Sequence, residues 1–281
     1  MELVVGCSFV FVAPAPTHAV MLVEPHGSET RRVRGARWAA RQRGVEIEAP
    51  RHVDPYGNCR RRITIEPGRA EIEFTATVEA STCPDHADPT ARMVDPADLP
   101  ASVLEYLTPS RYCESDAMTE LAWDVFSSVP RDWALAQAVC DWVHDRLAFR
   151  YGSSSPSLTA AAALDQGVGV CRDYAHLAIA LYRALNVPAR YVFGYLPDIG
   201  VPDPGTPMDF CAWTEVFIGG HWHPFDPRNN QRRIGRVVIG RGRDAADVAM
   251  VTSFGQLDLE SMTVVAEISG TQRPRTALDV R

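Results

Sequence analysis

Short segments in which apolar and polar residues alternate dominate the first eighty residues. In Glu71–Val78 an apolar side chain recurs at every second position, which is the period of a β-strand with one buried face. Turns rich in proline and glycine separate these segments. Strands are predicted at Val4–Val12, Ala19–Glu24, Val45–Glu48, Arg61–Glu66 and Ala70–Glu79. A β-rich N-terminal domain, an antiparallel sandwich or barrel, is therefore expected over residues 1–81.

The pattern changes near residue 100. Residues 82–103 are rich in proline and aspartate, so they are expected to form a linker. Beyond them apolar residues recur first at helical spacing and then in alternation. Helices are predicted at Ala117–Phe126, Asp132–Leu147 and Cys171–Leu185, and strands at Arg190–Tyr195, Cys211–Ile218, His221–Asp226, Arg236–Ile239 and Ser261–Ile268. An α+β domain is expected over 104–268, followed by a disordered polar tail over 269–281.

Composition narrows the class of protein. The chain has 281 residues and a net charge of −7, which disfavours nucleic acid as a partner. No apolar run reaches the ~20 residues of a membrane span. The cysteine count is seven and no Cys-x-x-Cys pair occurs, so a reducing cytoplasm is the expected location. The apolar N-terminus alternates like a strand, so it is not expected to be a signal peptide. No cofactor is expected. Nothing in the chain indicates an oligomeric state.

Cys171 follows a glycine-bearing loop and begins the third predicted helix. A thiol attacks as the thiolate, and the partial positive charge and free N–H groups at a helix start lower its pKa. Gly167 and Gly169 would also let a substrate backbone approach closely. The alternative is a buried cysteine that only packs the helix end, because free cysteine is among the most buried residue types.

A second cysteine begins a predicted hairpin. Gly219–Gly220 is a two-residue turn signal, which predicts that residue 218 faces 221 and that Cys211 lies opposite Arg228 and diagonal to Asp226. Strand alternation then places His221 and His223 on one face. The other face carries Cys211, Trp213, Glu215, Trp222 and Asp226. Asp226 is therefore expected to point toward the side chain at position 211.

Three blocks of sequence, at residues 169–173, 186–195 and 209–226, resemble the core of the bacterial transglutaminase-like cysteine protease superfamily. The resemblance covers about residues 104–255, and the first eighty residues resemble the β-rich domain that often precedes this core. It implies a papain-like fold with a Cys-His-Asp triad. Cys171 matches the nucleophile and Asp226 the orienting carboxylate. Cys211 stands at the histidine position and departs from the family pattern.

The resemblance implies a thioester at Cys171, formed from a peptide, protein or acyl-thioester substrate in amide or peptide hydrolysis or acyl transfer. A cysteine at position 211 is a poor acid–base match near neutral pH, and its thiolate would repel that of Cys171.

Three interpretations of this substitution stay open. The chain is an enzyme with altered catalysis, or a protein acting by binding whose triad histidine was lost in nature or by engineering. Alternatively, Cys171 and Cys211 form a reversible disulfide or share a soft metal ion with Asp226.

Other side chains have weaker claims to the site. Tyr151 is a candidate to hold a substrate oxyanion, although packing is the commoner role of such a tyrosine. Trp213 and Trp222 share the predicted site face and are candidates to wall it, and core packing explains them equally well. His176 is expected to be a core or surface residue and not a catalytic base, since it points away from Cys171 on the helix. Glu215 is expected to pair with an arginine.

Overall fold

The computed structural model describes residues 1–270 and 278–279. Its strands are β1 (Glu2–Ala13), β2 (Thr17–Met21), β3 (Val33–Gln42), β4 (Val45–Glu46), β5 (Arg51–Val53), β6 (Cys59–Ile65), β7 (Gly68–Glu79), β8 (Ala148–Phe149), β9 (Val168–Gly169), β10 (Ala189–Tyr195), β11 (Cys211–Ile218), β12 (His221–Phe225), β13 (Val237–Gly242), β14 (Val251–Ser253), β15 (Asp258–Ile268) and β16 (Leu278–Asp279). Its α-helices are α1 (Thr119–Phe126), α2 (Trp133–Arg146), α3 (Ala160–Gln166) and α4 (Cys171–Ala184). Short 3-10 helices form at Gly27–Arg32, Pro96–Asp98 and Ala101–Leu107.

The alternating segments of the N-terminal part form two antiparallel sheets, as their sequence indicates. One sheet has the strand order β16-β15-β1-β7-β3-β4, and the other has the order β14-β2-β6-β5. In β7, Ile72 and Phe74 are buried while Glu71 and Glu73 are exposed, so the two-residue period of the sequence separates core from solvent. The basic run over residues 31–43 becomes β3, which pairs with β7.

The last long strand corrects the expected domain boundary. β15 was expected in the core domain, but it pairs with β1 along ten residues of the first sheet. Met262, Val264 and Ala266 on its inner face are buried. A sequence pattern predicts that a strand exists but not which edge it joins, and the open edge of β1 is the one that β15 completes.

The expected linker and tail also differ in part from the structure. Within residues 82–103, Ala91 and Leu99 are buried, and Arg92 bridges to Asp132, so this segment packs against the domain that follows it. In the expected tail, β16 pairs with Ser261 and Met262 of β15. Residues 271–277 and 280–281 lie outside the described residues.

The C-terminal part has the α+β arrangement that the sequence predicts. Its antiparallel sheet has the order β12-β11-β10-β13, and α4 packs on β10 and β11 while α2 packs on α4. The predicted hairpin register is confirmed, since Ile218 pairs with His221 and Thr214 with Phe225. The helix that begins at Cys171 therefore lies on the strand that begins at Cys211. Among the described residues, none of the helices combines the length and apolar composition needed to cross a bilayer.

A buried ion cluster joins this sheet to the N-terminal part. The Glu215 carboxylate accepts hydrogen bonds from Arg190 Nε at 2.7 Å and from Arg241 Nε and Nη2 at 2.9 and 3.0 Å, as the sequence led us to expect. Arg241 also donates to Ser28 Oγ at 3.0 Å. Burial alone would raise the pKa of Glu215, but the charges of Arg241 and Arg190 lower it to about 2.

Candidate active site

Cys171 is the first residue of α4, and local hydrogen bonds hold it there. The Val170 N–H donates to Asp173 Oδ2 at 2.9 Å, and the Asp173 N–H donates to the Val170 carbonyl at 2.8 Å. Ser154 Oγ donates to Asp173 Oδ1 at 2.9 Å. A Cβ atom at position 169 would lie 2.8 Å from that of Asp173, so this position has to be glycine. This capped start leaves the half-buried Cys171 at the positive end of the helix dipole.

The structure brings Cys211 against Cys171. Both sulfurs are free thiols, and Cys171 packs in one apolar cluster with Cys211. The Cys211 thiol donates to the Ala212 carbonyl at 3.6 Å. The contact with Cys211 lowers the pKa of Cys171 below that of an ordinary cysteine, against the opposing effect of burial. The same contact, together with burial, raises the pKa of Cys211 well above its ordinary value. Cys171 is therefore the first of the two thiols to ionise, and Cys211 stays a neutral thiol beside it.

Asp226 lies one residue beyond β12 and is 4% exposed. Its carboxylate accepts hydrogen bonds from the Asn229 N–H at 3.0 Å, from Asn229 Nδ2 at 2.8 Å and from Arg236 Nη2 at 2.9 Å. Arg236 also pairs with Asp85 and lies with its guanidinium 4.7 Å from the centre of the Trp213 ring. Asp226 is thus held by Asn229 and Arg236.

Sequence reasoning missed Asn229 and Arg236 in this arrangement. Asn229 follows the hairpin by a few residues, and Arg236 precedes β13. Arginines are frequent throughout the chain, and no spacing singled this one out. The hairpin register could have indicated Asn229, because it places the residues after Phe225 close to the start of β11.

Cys171 and Cys211 line a pocket with a volume of about 320 Å³. Tyr151 also lines it, is half exposed, and has its ring 5.0 Å from that of Phe149. Burial of the phenol raises the pKa of Tyr151, so it is a neutral O–H group near neutral pH. Within the described residues no histidine lines this pocket. The described part of the chain therefore places no imidazole in this pocket beside Cys171 and Cys211.

The two tryptophans lie in different places. Trp213 is buried below the site, in one apolar cluster with Cys171 and Cys211, and Gly194 leaves space for its ring, since a Cβ there would lie 2.6 Å from it. Trp222 does not line the pocket. The expectation that this side chain forms a wall of the site is therefore corrected. Trp222 pairs with Phe217, six residues along β11 from Cys211, which is roughly 20 Å of strand. The shared face was inferred correctly, but the distance along it was not considered.

Two further expectations concern His176 and a metal ion. His176 is 1% exposed and accepts a hydrogen bond from the Ala245 N–H at 3.1 Å, so it is a core residue. The soft-metal interpretation requires Cys171, Cys211 and Asp226 to surround one ion. Within residues 1–270 and 278–279 no three His, Cys, Asp or Glu side chains are placed to hold one metal ion. The Asp226 carboxylate is instead directed at Asn229 and at the guanidinium of Arg236.

Comparison with known proteins agrees with this geometry. Residues 119–227, which include both cysteines and Asp226, match the transglutaminase-like superfamily. A crystal structure of a candidate cysteine protease from Cytophaga hutchinsonii is similar over 99% of this chain and 94% of its own, with 28% identity and a TM-score of 0.83. The similarity includes the N-terminal sheets as well as the site domain.

Mycobacterial proteins are also similar in sequence. An uncharacterised protein of Mycobacterium leprae is 25% identical over 231 residues, which are 78% of this chain and 81% of that protein. An uncharacterised protein of Mycobacterium tuberculosis is 32% identical over 166 residues, 55% of this chain and 48% of that protein. The chain thus spans about half the length of this second relative. The family match over the site domain and the structural match over nearly the whole chain show that residues 119–227 form a core domain of the transglutaminase-like superfamily.

Proposed function

We propose that this protein is a cysteine enzyme in which Cys171 forms a thioester with an acyl substrate, for hydrolysis or acyl transfer. The observation that carries the proposal is the position of Cys171, which lines a pocket at a helix start together with Cys211. Cys211 and the Ala212 N–H lower the pKa of the Cys171 thiol there. These contacts favour the thiolate, which is the attacking form. The family match of residues 119–227 and the similarity to a candidate cysteine protease support the same chemistry.

The reaction follows from the two thiols. The Cys171 thiolate attacks the carbonyl carbon and forms a tetrahedral intermediate, which collapses to the thioester as the leaving group departs with its bonding electrons. Water or an amine then attacks the thioester carbonyl and loses a proton to solvent. The C–S bond breaks, which releases the acyl product and returns Cys171 to the thiolate. An amine leaving group needs a proton as it departs, and Cys211, whose pKa is raised, is a poor acid for it. Acyl groups with stable leaving anions, such as thioesters and activated esters, are therefore the preferred substrates.

Acylation with p-nitrophenyl acetate tests this role. At pH 6, Cys171 is expected to be acetylated roughly tenfold faster than the exposed Cys83, because its pKa is lowered. Peptide mass spectrometry after a short reaction gives both rates in one sample. Cys171→Ala should abolish the fast acetylation, and Cys83→Ala should leave it intact. Acetylation at Cys83 without any at Cys171 would refute the nucleophile and favour a protein that acts by binding.

A thiol–disulfide role is a second candidate, and one observation favours it. The half-buried thiol of low pKa contacts a buried thiol of high pKa, which is the division of roles between an attacking and a resolving cysteine. With a peroxide as oxidant, the Cys171 thiolate would take one oxygen to become a sulfenic acid. The Cys211 thiol would then displace water from that sulfur and form the disulfide. The two sulfurs lose two electrons and the peroxide is reduced to water.

Mild oxidation with hydrogen peroxide distinguishes this second candidate. Peptide mapping of the oxidised protein should find Cys171 linked to Cys211, and loss of the free Cys171 thiol should stop acetylation until a reductant is added. In Cys211→Ser the disulfide should be absent and the sulfenic acid of Cys171 should accumulate. If both thiols remain free while Cys83 is oxidised, the pair is not a redox couple.

A further inference from the structure

The charged side chains around the Cys171 pocket are not all engaged with one another. Two arginines and two aspartates line it: Arg228, Arg233, Asp198 and Asp209. Arg233 Nη2 donates to Asp198 Oδ1 at 3.1 Å, and Arg233 is 4% exposed. This pair is an internal ion pair at the wall of the pocket. Arg228 and Asp209 are the charges left to face a ligand.

Arg228 is held in place but uses little of its hydrogen-bonding capacity. Its guanidinium lies 4.2 Å from the centre of the Phe149 ring, which fixes its position by a cation–π contact. One hydrogen bond, at 3.3 Å, goes from its Nη1 to Asn229 Oδ1. A guanidinium carries five N–H donors, and among the described residues Arg228 forms no ion pair. It is a positioned cation with free donors beside the nucleophile.

Asp209 contributes a weaker charge to the pocket than Arg228 does. Its Oδ1 accepts a hydrogen bond from the Phe210 N–H at 2.7 Å, and burial raises its pKa. An arginine keeps its charge at any pH that a folded protein experiences, whereas a carboxylate under desolvation loses part of its tendency to ionise. Among the described residues Asp209 and Arg228 form no ion pair with each other. The dominant unsatisfied charge in the pocket is therefore positive.

We propose that the pocket selects acyl substrates that carry a carboxylate close to the reacting carbonyl, and that Arg228 binds this carboxylate. The inference rests on the proposed function and names its substrate class: monoesters and monothioesters of short dicarboxylic acids. Leu196, Val201 and Met208 line the same pocket and would contact the short aliphatic chain between the two ends. A planar guanidinium matches a carboxylate with two parallel hydrogen bonds, so Arg228 is the specificity-determining residue.

Two alkylating reagents of nearly equal size test the proposal without turnover. Iodoacetate carries a carboxylate and iodoacetamide does not, and both alkylate thiolates. The ratio of the iodoacetate rate to the iodoacetamide rate is measured at Cys171 and, as an internal reference, at the exposed Cys83. We expect this ratio to be roughly three- to tenfold higher at Cys171, the range of a partly exposed charged hydrogen bond.

Variants assign the effect to Arg228. Arg228→Gln should lower the ratio at Cys171 to that at Cys83, and Arg228→Lys should keep most of it. Asp209→Asn removes the opposing charge and should raise the ratio. A change in the pKa of Cys171 alters the rates of both reagents by the same factor, so it cancels in the ratio. The iodoacetamide rate by itself reports such a change. An unchanged ratio in Arg228→Gln, with the same melting temperature as the parent, overturns the proposal.

Failure of the proposed function would look different. If neither reagent alkylates Cys171 faster than Cys83, the nucleophile is not activated and the thioester role fails. The carboxylate site is then tested by binding to Cys171→Ser, with succinamate and its neutral counterpart succinamide as probes in ligand-observed NMR. Weaker binding of succinamide, and loss of the difference in Arg228→Gln, supports the site. Equal binding of both probes overturns it.

Discussion

Replacing Cys211 with histidine is expected to raise the hydrolysis of activated esters and amides by about 10²–10⁴, the usual contribution of general acid–base catalysis. Position 211 already contacts the Cys171 sulfur and lines the pocket, so an imidazole has space on the pocket side. A carboxylate offers about four acceptor positions, and Asn229 and Arg236 use three of those on Asp226. The remaining position on Oδ1 is available to orient the ring.

The pH dependence of alkylation gives a direct measurement of this change. An imidazolium beside the nucleophile lowers the thiol pKa by several units, so Cys211→His should alkylate at Cys171 faster than the parent at pH 6, where an unassisted thiol is mostly protonated. Cys171→Ala in the same background should abolish the gain. Asp226→Asn should reduce it, because the substitution removes the carboxylate charge and one of the two oxygens that accept from Asn229. If the pH profile of alkylation is unchanged in Cys211→His, a histidine at position 211 does not act as a base for Cys171.

Replacing Glu215 with glutamine is expected to destabilise the fold by about 3–5 kcal/mol, because it leaves the guanidinium groups of Arg190 and Arg241 buried without a counter-charge. Urea denaturation at pH 7 measures this free energy of unfolding. Glu71→Gln is the matched control, since Glu71 pairs with Arg69 on the surface, and it should change stability by less than about 1 kcal/mol. A similar, small effect of both variants would show that the buried cluster does not stabilise the junction.

The same carboxylate predicts a pH dependence of stability. The folded-state pKa of Glu215 is lowered from 4.5 to about 2, so its ionised form stabilises the fold above pH 4.5, and this contribution is lost as the pH falls toward 2. The shift corresponds to about 3 kcal/mol. The difference in unfolding free energy between the parent and Glu215→Gln should shrink across this range. A difference that stays constant with pH would contradict the assignment.

Local sequence patterns predicted where the helices and strands around the site begin and end. They were less informative about which distant elements pair with one another. Two glycines fix a two-residue turn, and such a turn fixes the parity of every pair in the hairpin, so the register from Ile218 to Thr214 followed from sequence alone. The glycines before Cys171 and the helical spacing after it likewise located the start of α4. These features depend on neighbours in the chain.

Features that depend on distant residues were not predictable in this way. The partner of β15 is β1, at the opposite end of the described chain, and no local period encodes that choice. Arg236 holds Asp226 through a contact that forms only once β13 joins its sheet. The position of Trp222 required a length along the strand as well as a face. Catalytic roles for Cys171, Cys211, Asp226 and Tyr151 stay predictions until the acylation experiments are done.

The pairing of β1 with β15 has a consequence for synthesis on the ribosome. β1 is a long strand rich in valine and phenylalanine, and β7 covers one of its edges as soon as the first eighty residues have emerged. Its other edge has no partner until Asp258–Ile268 leaves the exit tunnel, after the entire site domain has been made. An uncovered hydrophobic edge strand is a template for aggregation. Nascent chains, and fragments that stop before Asp258, therefore present an aggregation-prone surface that the finished protein conceals.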